Sequence, residues 1–276
     1  MLRVTGLPVV AVVAALLTTA GAARAQAPTE PPGDEGTMPP APLPHASARD
    51  VAGSGLFLVG LQPAQVTPVA GSGIGVAGFD GARHTSVFSA SAEVALARWL
   101  VLRGEAIYRP SNPDDRAVAR PAVSLRGRLL DQQSAGVNLA LVAGYSQEKL
   151  AGEGGMLHFG AAIGRSFDRL SLIGNLAVGG DPEGDDRDGT LGGAALWRAS
   201  PSLHVGGQAF FRRDLGSTDG RRLLRKDGQY DYAVGPVASY ARDVVVFAVQ
   251  TGVSGVRGAG TSALGLLALG GVGAVF

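Results

Sequence analysis

Ala268-Leu269-Gly270-Gly271-Val272-Gly273-Ala274-Val275-Phe276 is a charge-free strand pattern that closes on an aromatic side chain. At the end of a water-soluble domain it would leave an apolar backbone edge open to pairing with other chains. A closed sheet set in lipid satisfies both the edge and the side chains. The stretch therefore predicts an all-β chain wound into a transmembrane antiparallel β-barrel.

The opposite end agrees. Arg3, an apolar run from about Leu7 to Leu17, and Ala23-Arg24-Ala25 before Gln26 follow the order of a secretory signal. The run is shorter than the roughly 20 residues needed to cross a bilayer. Residues 1–25 are thus expected to be a cleaved signal peptide that exports the chain, whose expected destination as a barrel is the outer membrane. Residues 26–49, with Pro31-Pro32-Gly33 and Pro39-Pro40-Ala41-Pro42-Leu43-Pro44, are too rich in proline to build a core and are expected to be a disordered tether. Residues 50–276 are left for the barrel. Glycine supplies 42 of the 276 residues, about twice the usual share, and is spread along the chain. Each interior glycine costs a helix about 1 kcal/mol, so long helices are not expected. The absence of cysteine fits an exported chain that does without disulfides. A net charge of +1 argues against a general nucleic-acid partner.

From Val51 onward, short alternating segments recur between turn signals. They are expected at 53–62, 84–97, 99–109, 118–129, 137–147, 156–166, 169–179, 189–199, 203–213, 229–240, 243–253 and 263–276. That makes about twelve strands, within a range of roughly 10–14. Residues 63–83 read as one long loop or an additional hairpin. Pro236 predicts a bulge or register fault in the tenth strand, because proline lacks a ladder N–H. The joins alternate in length. Ala97-Arg98-Trp99, Asp131 to Ala135, Phe167-Asp168-Arg169, Ser200-Pro201-Ser202 and Ala241-Arg242-Asp243 are tight, whereas Pro110 to Arg116, Asp181 to Gly189 and Leu215 to Gly228 are long and rich in glycine, proline or charge. Short periplasmic turns and longer extracellular loops are the asymmetry of membrane barrels.

Successive strand side chains point to opposite faces. In the third strand Leu100, Leu102, Ala106 and Tyr108 share one face, while Arg103 and Glu105 share the other. The fourth opposes Val123, Leu125 and Leu129 to Arg120, Ser124, Arg126 and Arg128; the ninth opposes Val205, Ala209 and Phe211 to His204, Gln208 and Arg212. One face suits lipid and the other water. A soluble sandwich, the competing architecture, would instead hide its apolar face and put charge outside. Trp99, Tyr108, Tyr145, Phe167, Trp197, Phe211, Tyr230, Tyr240 and Phe276 fall near the expected strand ends, where interfacial girdles belong.

On alternation, loop asymmetry and the terminal aromatic, residues 51–276 resemble the broad family of Gram-negative outer-membrane β-barrel proteins. The resemblance implies that Phe276, with Ala274, Val272, Ala268, Leu266 and Leu264 at alternate positions before it, is the signal read by the barrel-assembly machinery. A larger aromatic would be more typical at Ala274, and no subfamily follows.

Several stretches carry candidate chemistry. Gly73-Ile74-Gly75-Val76-Ala77-Gly78 has dinucleotide-turn spacing, with Glu93 beyond it. Such a turn needs a following helix, and the segment after it alternates like a strand, so a glycine-rich loop is expected and no cofactor. Of the four histidines, His45 lies in the tether, His84 and His158 begin strands at the outer rim, and His204 begins one at the periplasmic rim. They are too dispersed to form a catalytic pair, and no zinc-ligand spacing appears. Asp181, Glu183, Asp185, Asp186 and Asp188 make an acidic loop that lacks the calcium-hand glycine, so no metal is expected. Arg212, Arg213, Arg221, Arg222, Arg225 and Lys226 form a basic loop suited to charge-assisted bonds with lipopolysaccharide phosphate. Outer-membrane lipid and lipopolysaccharide are the expected partners.

Arg103, Arg120, Arg126 and Arg128 outnumber Glu93 and Glu105 on strands two to four. At midplane a charge on the lipid face would cost about 2–4 kcal/mol, so the lumen is their expected place. Two functions then diverge. A water path past these arginines makes a narrow pore with weak anion preference, the reading preferred from sequence; arginine paired to glutamate makes a closed structural or surface-interaction barrel. A lipid hydrolase is a third reading, disfavoured by the dispersed histidines, and the chain is expected not to be an enzyme.

Overall fold

Ser72, Ile74, Val76 and Asp80 of the first strand are buried, while Phe79 between them is exposed. A similar alternation recurs along the other strands, which turn one face in and one face out. The computed structural model describes residues 49, 71–109, 118–147, 155–182, 187–215, 230–258 and 261–276. The signal and tether expected over 1–25 and 26–49, and residues 50–70, lie outside these apart from Arg49.

The strands are β1 (Gly71–Asp80), β2 (Thr85–Ala97), β3 (Leu100–Arg109), β4 (Val118–Leu130), β5 (Asn138–Gln147), β6 (Gly155–Phe167), β7 (Leu170–Gly180), β8 (Arg187–Arg198), β9 (Leu203–Asp214), β10 (Tyr230–Arg242), β11 (Val245–Gly258) and β12 (Thr261–Val275). Each pairs antiparallel with its sequence neighbours, and β1 pairs with β12, closing the barrel. At the seam Phe276 donates its backbone N–H to the Gly71 carbonyl at 3.0 Å. Its ring occupies the space a side chain at Gly71 would need, with Cδ2 2.9 Å from that Cβ position.

The closing strand corrects one expectation. The segment expected at 53–62 lies outside the described residues, and the strand that completes the barrel is Gly71–Asp80. It contains the Gly73 to Gly78 run read from sequence as a loop. Small residues suit this seam. A Cβ at Gly78 would sit 2.7 Å from the Leu269 backbone, so the glycine permits close approach of β1 to β12. At Pro236 the β10–β11 ladder skips Gly235 and Pro236, yet Val234↔Val253 and Val237↔Gln250 keep one register. The missing N–H removes pairing locally without shifting the strand. Bulges occur instead at Ala95/Ala97 and Arg128/Leu130.

The five tight joins fall where the sequence put them. Between β4 and β5 the join is one helical turn, α1 (Gln132–Ala135), capped by Asp131, whose side chain accepts from Gln133 N–H, and ended by Gly136 at φ 76°. These joins share a rim with Phe276, the periplasmic one by the rule for such barrels.

The outer face is apolar. Leu176, Leu191, Phe159, Ile163, Val249, Leu264 and Leu266 are each at least half exposed, a surface that water would not tolerate and lipid requires. Trp99, Phe167, Trp197, Tyr240 and Phe276 are exposed toward the short-turn rim, while Tyr145 and Phe211 are exposed toward the other. Inside, Ile74, Val76, Ala241, Val246, Leu267, Leu269 and Val275 pack together along β1, β12, β11 and β10. A second cluster joins Leu196 and Val237. The bore is thus partly an ordinary apolar core.

Candidate functional site

Alternation sends Glu93, Arg103 and Arg126 inward from three adjacent strands, and register sets their contacts. Glu93 stands directly opposite Arg103, and Arg126 opposite Val101, one step diagonal. Arg103 Nη1 donates to Glu93 Oε1 at 3.1 Å, and Arg126 Nη2 donates to Glu93 Oε2 at 3.0 Å. Arg103 Nη2 also donates to Glu105 Oε2 at 3.2 Å. The Glu93 side chain is 1% exposed, so both oxygens are committed to guanidinium groups out of water. Such charge-assisted pairs hold a buried charge that would otherwise be costly. Arg128 leaves this group. It pairs with Asp131 at 2.8 Å and donates to the Arg98 carbonyl at 3.2 Å, tying β4 to the periplasmic turns. Arg120 of β4 is opposite Ile107 of β3, and its side chain lies outside the described residues.

A second group, of which the sequence singled out only Arg212, joins β1 to β9, β10 and β11 near the long-loop rim. Arg83, in the turn after β1, donates to Asp80 Oδ2 at 2.7 Å and also to Asp231 of β10. Arg212 of β9 donates to the same Asp231 oxygen at 2.8 Å. Ser254 of β11 donates to Asp80 Oδ1 at 2.6 Å. Gly81 N–H bonds the Leu266 carbonyl at 2.8 Å, and Ala82 beside it is buried. The β1–β2 turn is thereby folded onto the inner wall and latched across β12, β11 and β10. Deeper in, Gln208 donates to Gln250 at 2.8 Å, bridging β9 to β11 across β10.

Of the basic residues assigned to phosphate contact, Arg212 faces the lumen and is bound to Asp231, away from the outer leaflet. The cause is the strand period, which separates it from its outward neighbour Arg213. Arg221, Arg222, Arg225 and Lys226, like Glu183, Asp185 and Asp186 of the acidic loop, lie outside the described residues.

The histidines are as separate as their strands imply. His84 is exposed in a turn at φ 50°, and His204 is buried near the periplasmic rim. His158 is different, because its Nε2 lies 2.6 Å from Ser146 Oγ on β5. Gly179 separates it from Asp188, with His158↔Gly179 and Gly179↔Asp188 in register. Ser146 was not among the residues the sequence singled out. The signal lay in the paired strand ends at Gln147 and Gly155, near which Ser146 and His158 stand at inward positions.

No protein-family model matches the chain, and no curated protein sequence matches it. Among solved structures it is similar to an outer membrane channel from Pseudomonas putida F1, at 12% identity and TM-score 0.51, covering 78% of this chain and 100% of that one. LpxR from Salmonella typhimurium follows at 12% identity and TM-score 0.44, covering 75% and 100%. The translocator domain of the autotransporter NalP from Neisseria meningitidis gives 12% and 0.42, covering 75% and 87%. At these identities the likeness speaks for the fold alone. With twelve antiparallel strands closed on themselves, an apolar outer belt and charge held inside, the chain is by its fold an outer-membrane β-barrel.

Proposed function

We propose that this barrel is closed along its bore and works at its extracellular rim instead of conducting solute. The observation that carries the reading is Glu93, a nearly inaccessible carboxylate shared between Arg103 and Arg126. An anion path needs positive charge that is hydrated and uncompensated. Here the arginines are dry and neutralised. The latch of Arg83 on Asp80 and Asp231 and the apolar clusters around Val246 and Leu196 support the same reading. At the rim, Arg213 and the connecting segment with Arg221, Arg222, Arg225 and Lys226 supply the charge for pairing with lipopolysaccharide phosphate.

The test is single-channel recording in planar bilayers of barrel purified from outer membranes. The expected result is a heat-modifiable, inserted protein with no steady conductance. Steady anion-favouring conductance that reverses preference in Arg126→Glu would overturn the proposal and restore a pore lined by the arginine group.

A further inference from the structure

Ser146 is the next-to-last residue of β5, His158 the fourth of β6 and Asp188 the second of β8. All three therefore lie at the rim away from Phe276, and all three point inward, across the mouth from the Arg83 latch. Each is half-buried. One strand, β7, intervenes between His158 and Asp188, and at that level it carries Gly179. A Cβ there would collide with Asp188 Oδ1 and would sit 2.6 Å from Met156 Sδ and 3.0 Å from His158 Nδ1. Imidazole and carboxylate thus converge over a glycine from either side. On the far side of the ring, Nε2 meets Ser146 Oγ at 2.6 Å. Asp188 and Arg212 both lie within electrostatic reach of the imidazole.

The order is hydroxyl to Nε2, then Nδ1 toward a carboxylate, the sequence of roles in a base-activated serine. A hydrogen bond between Ser146 and His158 alone would satisfy both side chains. It would not call for a carboxylate on the Nδ1 side or for the absence of a side chain at residue 179. We propose that Ser146, His158 and Asp188 form a nucleophilic site at the extracellular mouth that hydrolyses carboxylic esters. The inward orientation makes the substrate one that arrives from water, a short-chain acyl ester, and not a lipid lying against the outer wall.

In the reaction, Nδ1 carries a proton facing Asp188, and Nε2 accepts the Ser146 hydroxyl proton as Oγ bonds the ester carbonyl carbon. The carbonyl oxygen takes the negative charge, and the cation on the neighbouring strand is Arg212, which stays paired to Asp231 at 2.8 Å. The bond from that carbon to the alkoxy oxygen breaks, and the alcohol leaves with the proton from Nε2. Water then attacks the acyl-Ser146 carbonyl and gives its proton to Nε2. Collapse breaks the bond to Oγ, which recovers the proton, releasing the carboxylic acid. One ester and one water yield one acid and one alcohol. Asp188 acts as a positioning residue by orienting the ring and stabilising the imidazolium.

The experiment uses the full chain purified from outer membranes in detergent micelles. A fluorophosphonate, which bonds phosphorus to an activated Oγ and releases fluoride, is followed by peptide mass spectrometry, and p-nitrophenyl butyrate hydrolysis is measured in parallel. The expected result is one adduct, on Ser146. In His158→Ala, labelling slows by about 100-fold or more. Asp188→Asn lowers kcat by roughly tenfold or more and leaves KM within about twofold, a split that loss of structure would not give. Gly179→Ala slows labelling in wild type but adds nothing to Asp188→Asn, because it acts through the same contact. Heat-modifiable migration verifies that each variant is folded. Absence of an adduct on Ser146 in the folded wild-type barrel overturns the proposal whether or not any variant folds, and so does butyrate hydrolysis at the wild-type rate in Ser146→Ala. Neither result depends on whether the bore conducts, so this inference and the closed-bore reading fail separately.

Discussion

Glu93→Gln tests the ion pairs inside the wall at nearly constant volume. Glu93 offers one oxygen to Arg103 at 3.1 Å and the other to Arg126 at 3.0 Å. Glutamine keeps one acceptor and turns an NH2 group toward the second guanidinium, donor against donor. Removing one partner of a buried ion pair costs about 3–5 kcal/mol, because the remaining charge is left without compensation. Arg103 keeps Glu105 at 3.2 Å, which lowers its share, whereas the ion pair of Arg126 among the described residues is with Glu93. A loss of about 3 kcal/mol is expected, roughly a 150-fold fall in the folded-to-unfolded ratio. Urea unfolding in lipid vesicles measures it. Trp99 and Trp197 provide the fluorescence signal, since both are exposed on the lipid-facing side. Pairing the change with Arg126→Met removes the orphaned cation and is expected to recover the stability to within about 1 kcal/mol of wild type. A single-variant loss below about 1 kcal/mol, or a double variant worse than Glu93→Gln alone, would refute the view that these pairs brace a dry wall.

Leu176, exposed at mid-strand in β7, faces hydrocarbon; Leu176→Arg is expected to cost about 2–4 kcal/mol in vesicle unfolding, and a neutral result would return the outer face to water. Leu196 is 2% exposed inside the bore and packs against Val237, so Leu196→Ala is expected to lose about 2–5 kcal/mol in the same assay. Arg83→Ala leaves Asp80 and Asp231 without that partner, and hydrogen exchange should rise at Gly81, Ala82 and His84 while β6 and β7 are unchanged. Phe276→Ala removes the ring over Gly71 and should reduce the yield of heat-modifiable barrel in outer membranes, with unfolded chain accumulating in the periplasm.

Strand existence and facing were legible because they are local. A period of two in Leu100 to Tyr108 or Val123 to Leu129 is set by the chain's own geometry, and charge on one face against leucine on the other admits one sorting between lipid and lumen. The tight joins were legible for the same reason, as with Asp131 before α1 and Gly136 after it. The closing strand was not. Ser72, Ile74, Val76 and Asp80 alternate with glycine, alanine and a single phenylalanine, so β1 has little outward apolar signal, and its identity comes from pairing with β12 at the far end of the sequence.

Residue types and faces thus belonged to the sequence: arginines inward on β3 and β4, Phe276 at the seam, His158 near the outer rim. Partners belonged to the tertiary structure. Arg126 reaches Glu93 across β3, Arg83 reaches Asp231 across β12 and β11, and His158 looks toward Asp188 over Gly179. Each pairing of positions crosses at least one intervening strand, so it depends on register summed around a closed barrel. A local period fixes the side on which a residue stands, and only closure fixes what stands beside it.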